Sequence, residues 1–120
     1  MRIIIADDQA NVRSALALLL GQEADLTVVA EAADALGLLQ AIHRCQPDLL
    51  LLDWELPGLA ADHLLTLIHY DQPGLVVIAL SGRPEAAIAA KAAGADAFIS
   101  KSALPEQVLT AVLTATAGER

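Results

Sequence analysis

Short apolar runs alternate with helix-periodic stretches along the whole chain, and this alternation restricts the fold more than any other feature. Ile3-Ile4-Ile5-Ala6, Leu49-Leu50-Leu51-Leu52, Leu75-Val76-Val77-Ile78-Ala79-Leu80 and Ala97-Phe98-Ile99 are continuous hydrophobic runs. Runs this short and this uniformly apolar suit strands buried on both faces of a parallel sheet. With them, strands are expected at residues 2–6, 26–30, 48–53, 75–80 and 96–99. Between them lie amphipathic helical stripes. Val12, Leu16, Leu19 and Leu20 form the first, ended by Gly21, and Ala35, Leu38, Leu39 and Ile42 the second, ended by Pro47. Leu64, Leu65 and Ile68 form the third, before Pro73-Gly74, and Leu104, Val108, Val112 and Ala115 the last, with Pro105 in its first turn. A fourth helix, at about 84–93, is expected to hold Pro84 in its first turn and to end just before Gly94; it is mostly alanine, with Ile88 its one large apolar anchor.

Strictly alternating strand and helix units imply an α/β fold, a five-stranded parallel sheet doubly wound by helices. Right-handed crossovers leave few windings, and the order 2-1-3-4-5 puts a topological switch point between the first and third strands. The carboxyl ends of those strands then share one edge, where ligands bind in open α/β sheets. The first strand stops at Asp7-Asp8, the third at Asp53, the fourth at Ser81, and the fifth just before Lys101. The second ends at Glu31, outside the switch point, and Glu31 is given no chemical role.

Close-packed carboxylates repel one another and do not all stay ionised unaided at neutral pH. A divalent cation removes the conflict, and Mg²⁺ prefers an octahedron of oxygen ligands that includes waters. An Asp beside Mg²⁺ can attack a phosphoryl group and become an acyl phosphate. Asp53 is the nucleophile candidate, Lys101 the cation and Ser81 the hydroxyl that stabilise charge on the transferring oxygens.

Composition narrows the alternatives. The chain has 120 residues, enough for one domain with its own core. Aromatics are 2 % of residues against 56 % apolar, so the core must be aliphatic. A net charge of −8 argues against direct binding of nucleic acid, which needs a basic face. The single cysteine, Cys45, rules out an internal disulfide and fits the cytoplasm. No apolar stretch approaches the roughly 18 residues of a membrane span.

Taken together, these residues resemble a response-regulator receiver domain, the CheY-like, flavodoxin-like phospho-acceptor module of two-component signalling, and most of all the receivers of LuxR/NarL-type transcriptional regulators. The resemblance rests on Asp7-Asp8, on Asp53 followed by Pro57-Gly58, on Ser81, on Gly94-Ala95-Asp96-Ala97-Phe98 and on Lys101, and it covers essentially the whole chain. It implies that Asp53 accepts phosphate from a sensor histidine kinase. It implies that Asp8, Asp53 and the carbonyl of Glu55 bind Mg²⁺, with Asp7 acting through water. It also implies that Lys101 pairs with the phosphate, that Ser81 shifts toward it and that Phe98 turns inward. The readout face is then the fourth helix, fifth strand and fifth helix. A phosphorylation-linked homodimer is expected, with no membrane partner and with DNA reached only through an output domain. Such a domain catalyses its own phosphotransfer and dephosphorylation and is not a turnover enzyme.

The chain departs from the family pattern in four places. Ser102 stands where many receivers have a proline joined through a cis bond, and a cis bond to serine costs about 3–4 kcal/mol. Gly82 replaces a common alanine. Glu55 and Arg83 occupy two rim positions that tune phosphate lifetime; opposite charges there are expected to pair over the phosphate and slow dephosphorylation. Trp54 is expected on the sheet's flank against a helix.

Plainer readings exist for single residues. Asp7-Asp8 can cap a helix, Asp53 can start an Asx-turn, and Lys101 can be a solvated lysine. His43, His63 and His69 lack metal spacing and are read as surface residues, and Cys45 as a partly buried filler. Three rival functions stand beside the receiver. A phosphorylation-independent receiver used as a dimerisation or scaffold module is opposed by the complete set of acids, Ser81 and Lys101. An FMN protein is opposed by the acidic first loop. An aspartyl-phosphate hydrolase usually places its nucleophile after the first strand. The run 111–120 resembles the last receiver helix and linker start of regulators with a LuxR-type helix-turn-helix, so a C-terminal output domain is expected to be missing from this chain.

Overall fold

Ile3, Ile4, Ile5 and Leu49 to Leu52 are completely buried, every residue of each run. Only strands covered on both faces permit that. The computed structural model describes residues 1–117, with side chains to residue 115. The strands are β1 (Arg2–Ala6), β2 (Thr27–Ala32), β3 (Leu49–Asp53), β4 (Val76–Ser81) and β5 (Ala97–Ser100). The helices are α1 (Ala10–Leu20), α2 (Ala35–Cys45), α3 (Ala61–Asp71), α4 (Ala86–Ala92) and α5 (Pro105–Ala117). All pairings are parallel and the order is β2-β1-β3-β4-β5, the doubly wound arrangement expected from the alternation.

Successive strand residues point to opposite faces, and the core divides accordingly. Ile4, Leu50, Leu52, Val77 and Ala79 pack with Leu38, Ile42, Leu64, Leu65 and Ile68 of α2 and α3. Ile3, Ile5, Leu49, Leu51, Ile78 and Leu80 pack with Leu20 of α1 and with Val108 and Val112 of α5. Both layers cover β3 and β4, whose last residues are Asp53 and Ser81.

The structure corrects three expectations. Pro84 lies before α4 rather than in its first turn. Ile88 does not anchor α4; it is 82 % exposed, and the helix is held by Ala86 and Ala90 instead. Leu104 precedes α5 and is 57 % exposed, so the buried stripe of α5 begins at Val108. α4 ends where Gly94 takes φ +109, with the Gly94 amide donating to the Lys91 carbonyl and the Ala95 amide to that of Ala90. Ala86 and Ala90, four residues apart, share the buried face of the helix, and Ile88, two residues from each, falls on the outer face. Residues 118–120 of the run that resembles a linker start lie outside the described residues.

Candidate functional site

Asp7 follows the last residue of β1, Asp53 closes β3, Ser81 closes β4 and Lys101 follows β5. Parallel pairing in this order brings all four ends to one edge of the sheet. Asp7, Asp53 and Ser81 are buried there, and Asp8 is exposed at the rim. The Lys101 ammonium lies 2.7 Å from Oδ2 of Asp7 and 3.3 Å from Oδ1 of Asp53. The nearer contact is an ion pair without the angles of a directed hydrogen bond, and Oδ2 of Asp7 is otherwise buried without a donor. Oδ1 of Asp7 accepts from the Gln9 amide at 2.9 Å, and Oδ1 of Asp53 from the Glu55 amide at 3.0 Å. The second contact is the Asx-turn geometry open to an Asp at a strand end, here combined with a charge partner.

Burial pushes the Asp53 carboxyl above its ordinary value; the Glu55 amide opposes this, Asp7 adds to it, and Lys101 opposes it. Burial acts to lower the Lys101 ammonium, but its contacts with Asp7 and Asp53 outweigh burial and hold it above the usual lysine value. One cation therefore serves two buried acids, with a third acid at the rim. Carboxylate oxygens of Asp7, Asp8 and Asp53 all lie within 4.8 Å of one another. This all-oxygen, undercompensated donor set fits a hard divalent cation such as Mg²⁺.

Glu55 and Arg83 meet at the rim, with Arg83 Nη2 3.1 Å from Oε2 of Glu55. The Ser81 hydroxyl lies 2.9 Å and 3.0 Å from the two oxygens of the same carboxylate, toward which it donates, and it accepts from the Arg83 amide at 3.0 Å. The sequence did not foreshadow this engagement of Ser81. Gly82 is exposed, and a Cβ there would meet nothing within 4 Å. Phe98 is half-buried against the α2–α3 side of the core. Trp54 packs on that same side and borders a cleft with Ala61, Asp62, Ala89 and Ala93. Among the described residues no peptide bond is cis, so Lys101–Ser102 is trans. His43 and His63 are exposed and His69 is half-buried near Gly94.

One residue at the site's edge, Arg13, escaped the sequence reading. Arg13 of α1 donates from Nη1 to the Asp7 carbonyl at 2.7 Å and from Nε to Glu31 at 3.1 Å. A cation near a helix N-terminus opposes the helix dipole, and that was the one sequence sign that Arg13 has a partner elsewhere.

A family model for the response regulator receiver domain matches residues 3–113. The oxygen regulatory protein NreC of Staphylococcus aureus is 32 % identical over 123 residues, covering 99 % of this chain and 56 % of that protein. The chain thus spans about half the length of the curated relatives it matches. A two-component response regulator of the LuxR family from Aurantimonas superposes with a TM-score of 0.91 at 28 % identity, over 99 % of this chain and 86 % of that one. RcsB from Salmonella enterica, solved on a promoter with the phosphomimetic BeF3-, superposes with a TM-score of 0.90 at 25 % identity, over 98 % of this chain and 61 % of that one.

Proposed function

Because the chain belongs to the response regulator receiver domain family, we propose that it is a phosphorylation switch in which Asp53 takes a phosphoryl group from a phosphohistidine of a sensor kinase. The observation that carries this reading is the convergence of three carboxylates within 4.8 Å and the Lys101 ammonium on one sheet edge. Asp53 is the acceptor on chemical grounds. It closes the central strand β3, whereas Asp7 is held more closely by Lys101 and Asp8 lies at the exposed rim.

In the transfer, a carboxylate oxygen of Asp53 attacks phosphorus. A P–O bond forms as the P–N bond breaks, and the imidazole leaves with the electron pair. Lys101 stays near the oxygens that carry charge in the transition state. Asp8, Asp53 and the Glu55 carbonyl are the residues that would hold Mg²⁺, with Asp7 acting through water. When bound, that ion offsets charge on the carboxylates and on the transferring oxygens. Ser81 then leaves Glu55 to donate to the phosphoryl group, and Phe98 turns into the space released. The Glu55–Arg83 pair obstructs water at the rim and slows hydrolysis of the acyl phosphate. Unchanged decay rates in Glu55→Ala and Arg83→Ala would dispose of that last role.

The switched face, α4, β5 and α5, passes the signal to a DNA-binding output domain beyond this chain and to a second copy of the receiver, all in the cytoplasm. Among the described residues no helix is long and apolar enough to cross a membrane. The test of the phospho-acceptor reading is the intact mass after incubation with acetyl phosphate and Mg²⁺. Wild type should gain one phosphoryl group, and neither Asp53→Asn nor protein in excess chelator should gain any. No gain by wild type would favour a phosphorylation-independent scaffold.

A further inference from the structure

Asp7 has its side chain fixed by Gln9 and Lys101, and its amide donates to the Ala32 carbonyl at 2.9 Å. Its carbonyl is held separately. Nη1 of Arg13 donates to it at 2.7 Å, while Nε of the same guanidinium donates to Glu31 on β2 at 3.1 Å. Arg13 therefore ties the turn after β1 to two neighbouring elements at once. Asp8 is the next residue, exposed, and must keep a carboxylate oxygen within 4.8 Å of Asp7 and Asp53. No described side-chain hydrogen bond or ion pair restrains Asp8, so its placement depends on the backbone of this turn.

We propose that Arg13, oriented by Glu31, is a positioning residue for the divalent-cation site, acting through the Asp7 carbonyl to hold Asp8 within reach of Asp53. The inference rests on the proposed function, since it concerns the same acids, but it adds a residue and a direction of effect. Only 20 % of the Arg13 side chain is exposed, and a planar guanidinium can reach both partners at once, which an ammonium does less well. Residues that orient metal ligands commonly change metal affinity by about 10-fold or more when lost.

The sign of the effect separates positioning from simple electrostatics. Arg13 carries positive charge beside an acidic cluster. If charge were all that mattered, removing it would tighten cation binding. If Arg13 positions the turn, removing it must weaken binding.

The experiment is calorimetric titration of Mg²⁺ alone into metal-free wild type, Arg13→Met and Arg13→Lys, at a temperature where all three are folded. Arg13→Met should weaken Mg²⁺ roughly 10-fold, and Arg13→Lys, which keeps the charge but not the fork, by an intermediate factor. Amide exchange at Asp8 and Gln9 in the metal-free proteins should quicken in the same order. Unchanged or tighter Mg²⁺ binding in both variants would overturn the proposal. If Arg13→Met does not fold, Arg13→Lys decides alone, because charge by itself predicts no change there. Failure of wild type to bind Mg²⁺ would instead overturn the assignment of the cation site.

Discussion

Under the proposed function, the Ser81–Glu55 contact opposes phosphorylation of the resting state, and its strength can be worked out. The Ser81 hydroxyl lies 2.9 Å and 3.0 Å from the two oxygens of the Glu55 carboxylate. A hydrogen bond to a charged group contributes about 1.5–3 kcal/mol. The Glu55 side chain is 39 % exposed, so solvent screening reduces this to about 1 kcal/mol. The Arg83 pair adds little, because its guanidinium is 60 % exposed. In the proposed switch, Ser81 gives up this contact to reach a phosphoryl group on Asp53. Release of Ser81 in Glu55→Ala should therefore contribute about fivefold to tighter binding of the phosphomimetic beryllofluoride at saturating Mg²⁺, on the scale where one kcal/mol is that factor. The assay is a titration followed by emission of Trp54, the only tryptophan and the neighbour of Asp53. Removing a negative charge near an anion also favours binding, and a double-mutant cycle separates the two effects. In a Ser81→Ala background the gain from Glu55→Ala should shrink to the charge effect alone. An equal gain in both backgrounds would refute the idea that Glu55 restrains Ser81.

Three further outcomes follow. Burial raises the Asp53 carboxyl above 3.8, so the metal-free native state binds this proton more tightly than the unfolded chain. Stability is then lost as pH rises from 3.8 through the raised native value, and Asp53→Asn should out-stabilise wild type above that window but not below it; equal denaturant midpoints at neutral pH in chelator would contradict this. Leu51→Ala, in the fully buried β3, should cost about 2–5 kcal/mol, whereas Ile88→Ala, 82 % exposed on α4, should stay within about 0.5 kcal/mol of wild type by urea unfolding. Gly58 has φ +114, and a Cβ there would lie 3.0 Å from the Ala35 Cβ and 3.2 Å from the Ala35 nitrogen, so Gly58→Ala should cost about 1–3 kcal/mol in the same assay.

The sheet was legible because buried parallel strands leave unbroken apolar runs, and the right-handed crossover rule limits how such runs connect. The same logic places Asp7, Asp53, Ser81 and Lys101 at one edge of the sheet. Orientation within short or loop-bound segments was not legible. The helical pattern pointed to Ile88 as an anchor, but α4 has only seven residues and buries the face of Ala86 and Ala90, opposite Ile88. Ser81 and Glu55 are 26 residues apart, and no local pattern couples a strand-end hydroxyl to a carboxylate on another loop. Arg13 lies off the chemistry-bearing strand ends, so its hold on the Asp7 carbonyl left no motif. Lys101 sits closer to Asp7 than to Asp53, a matter of side-chain geometry that spacing cannot resolve. The Glu55 carbonyl and the turning of Phe98 came from the family resemblance rather than from physical reasoning on this chain.

Chemical mapping of the acceptor tests the central claim most directly. After incubation with acetyl phosphate and Mg²⁺, borohydride cleaves an acyl phosphate reductively and converts the modified aspartate to homoserine, which peptide mass spectrometry locates. The account predicts homoserine at Asp53 alone. Conversion at Asp7 or Asp8 instead, or a phosphoryl group that resists reduction because it sits on a histidine or a hydroxyl, would contradict it.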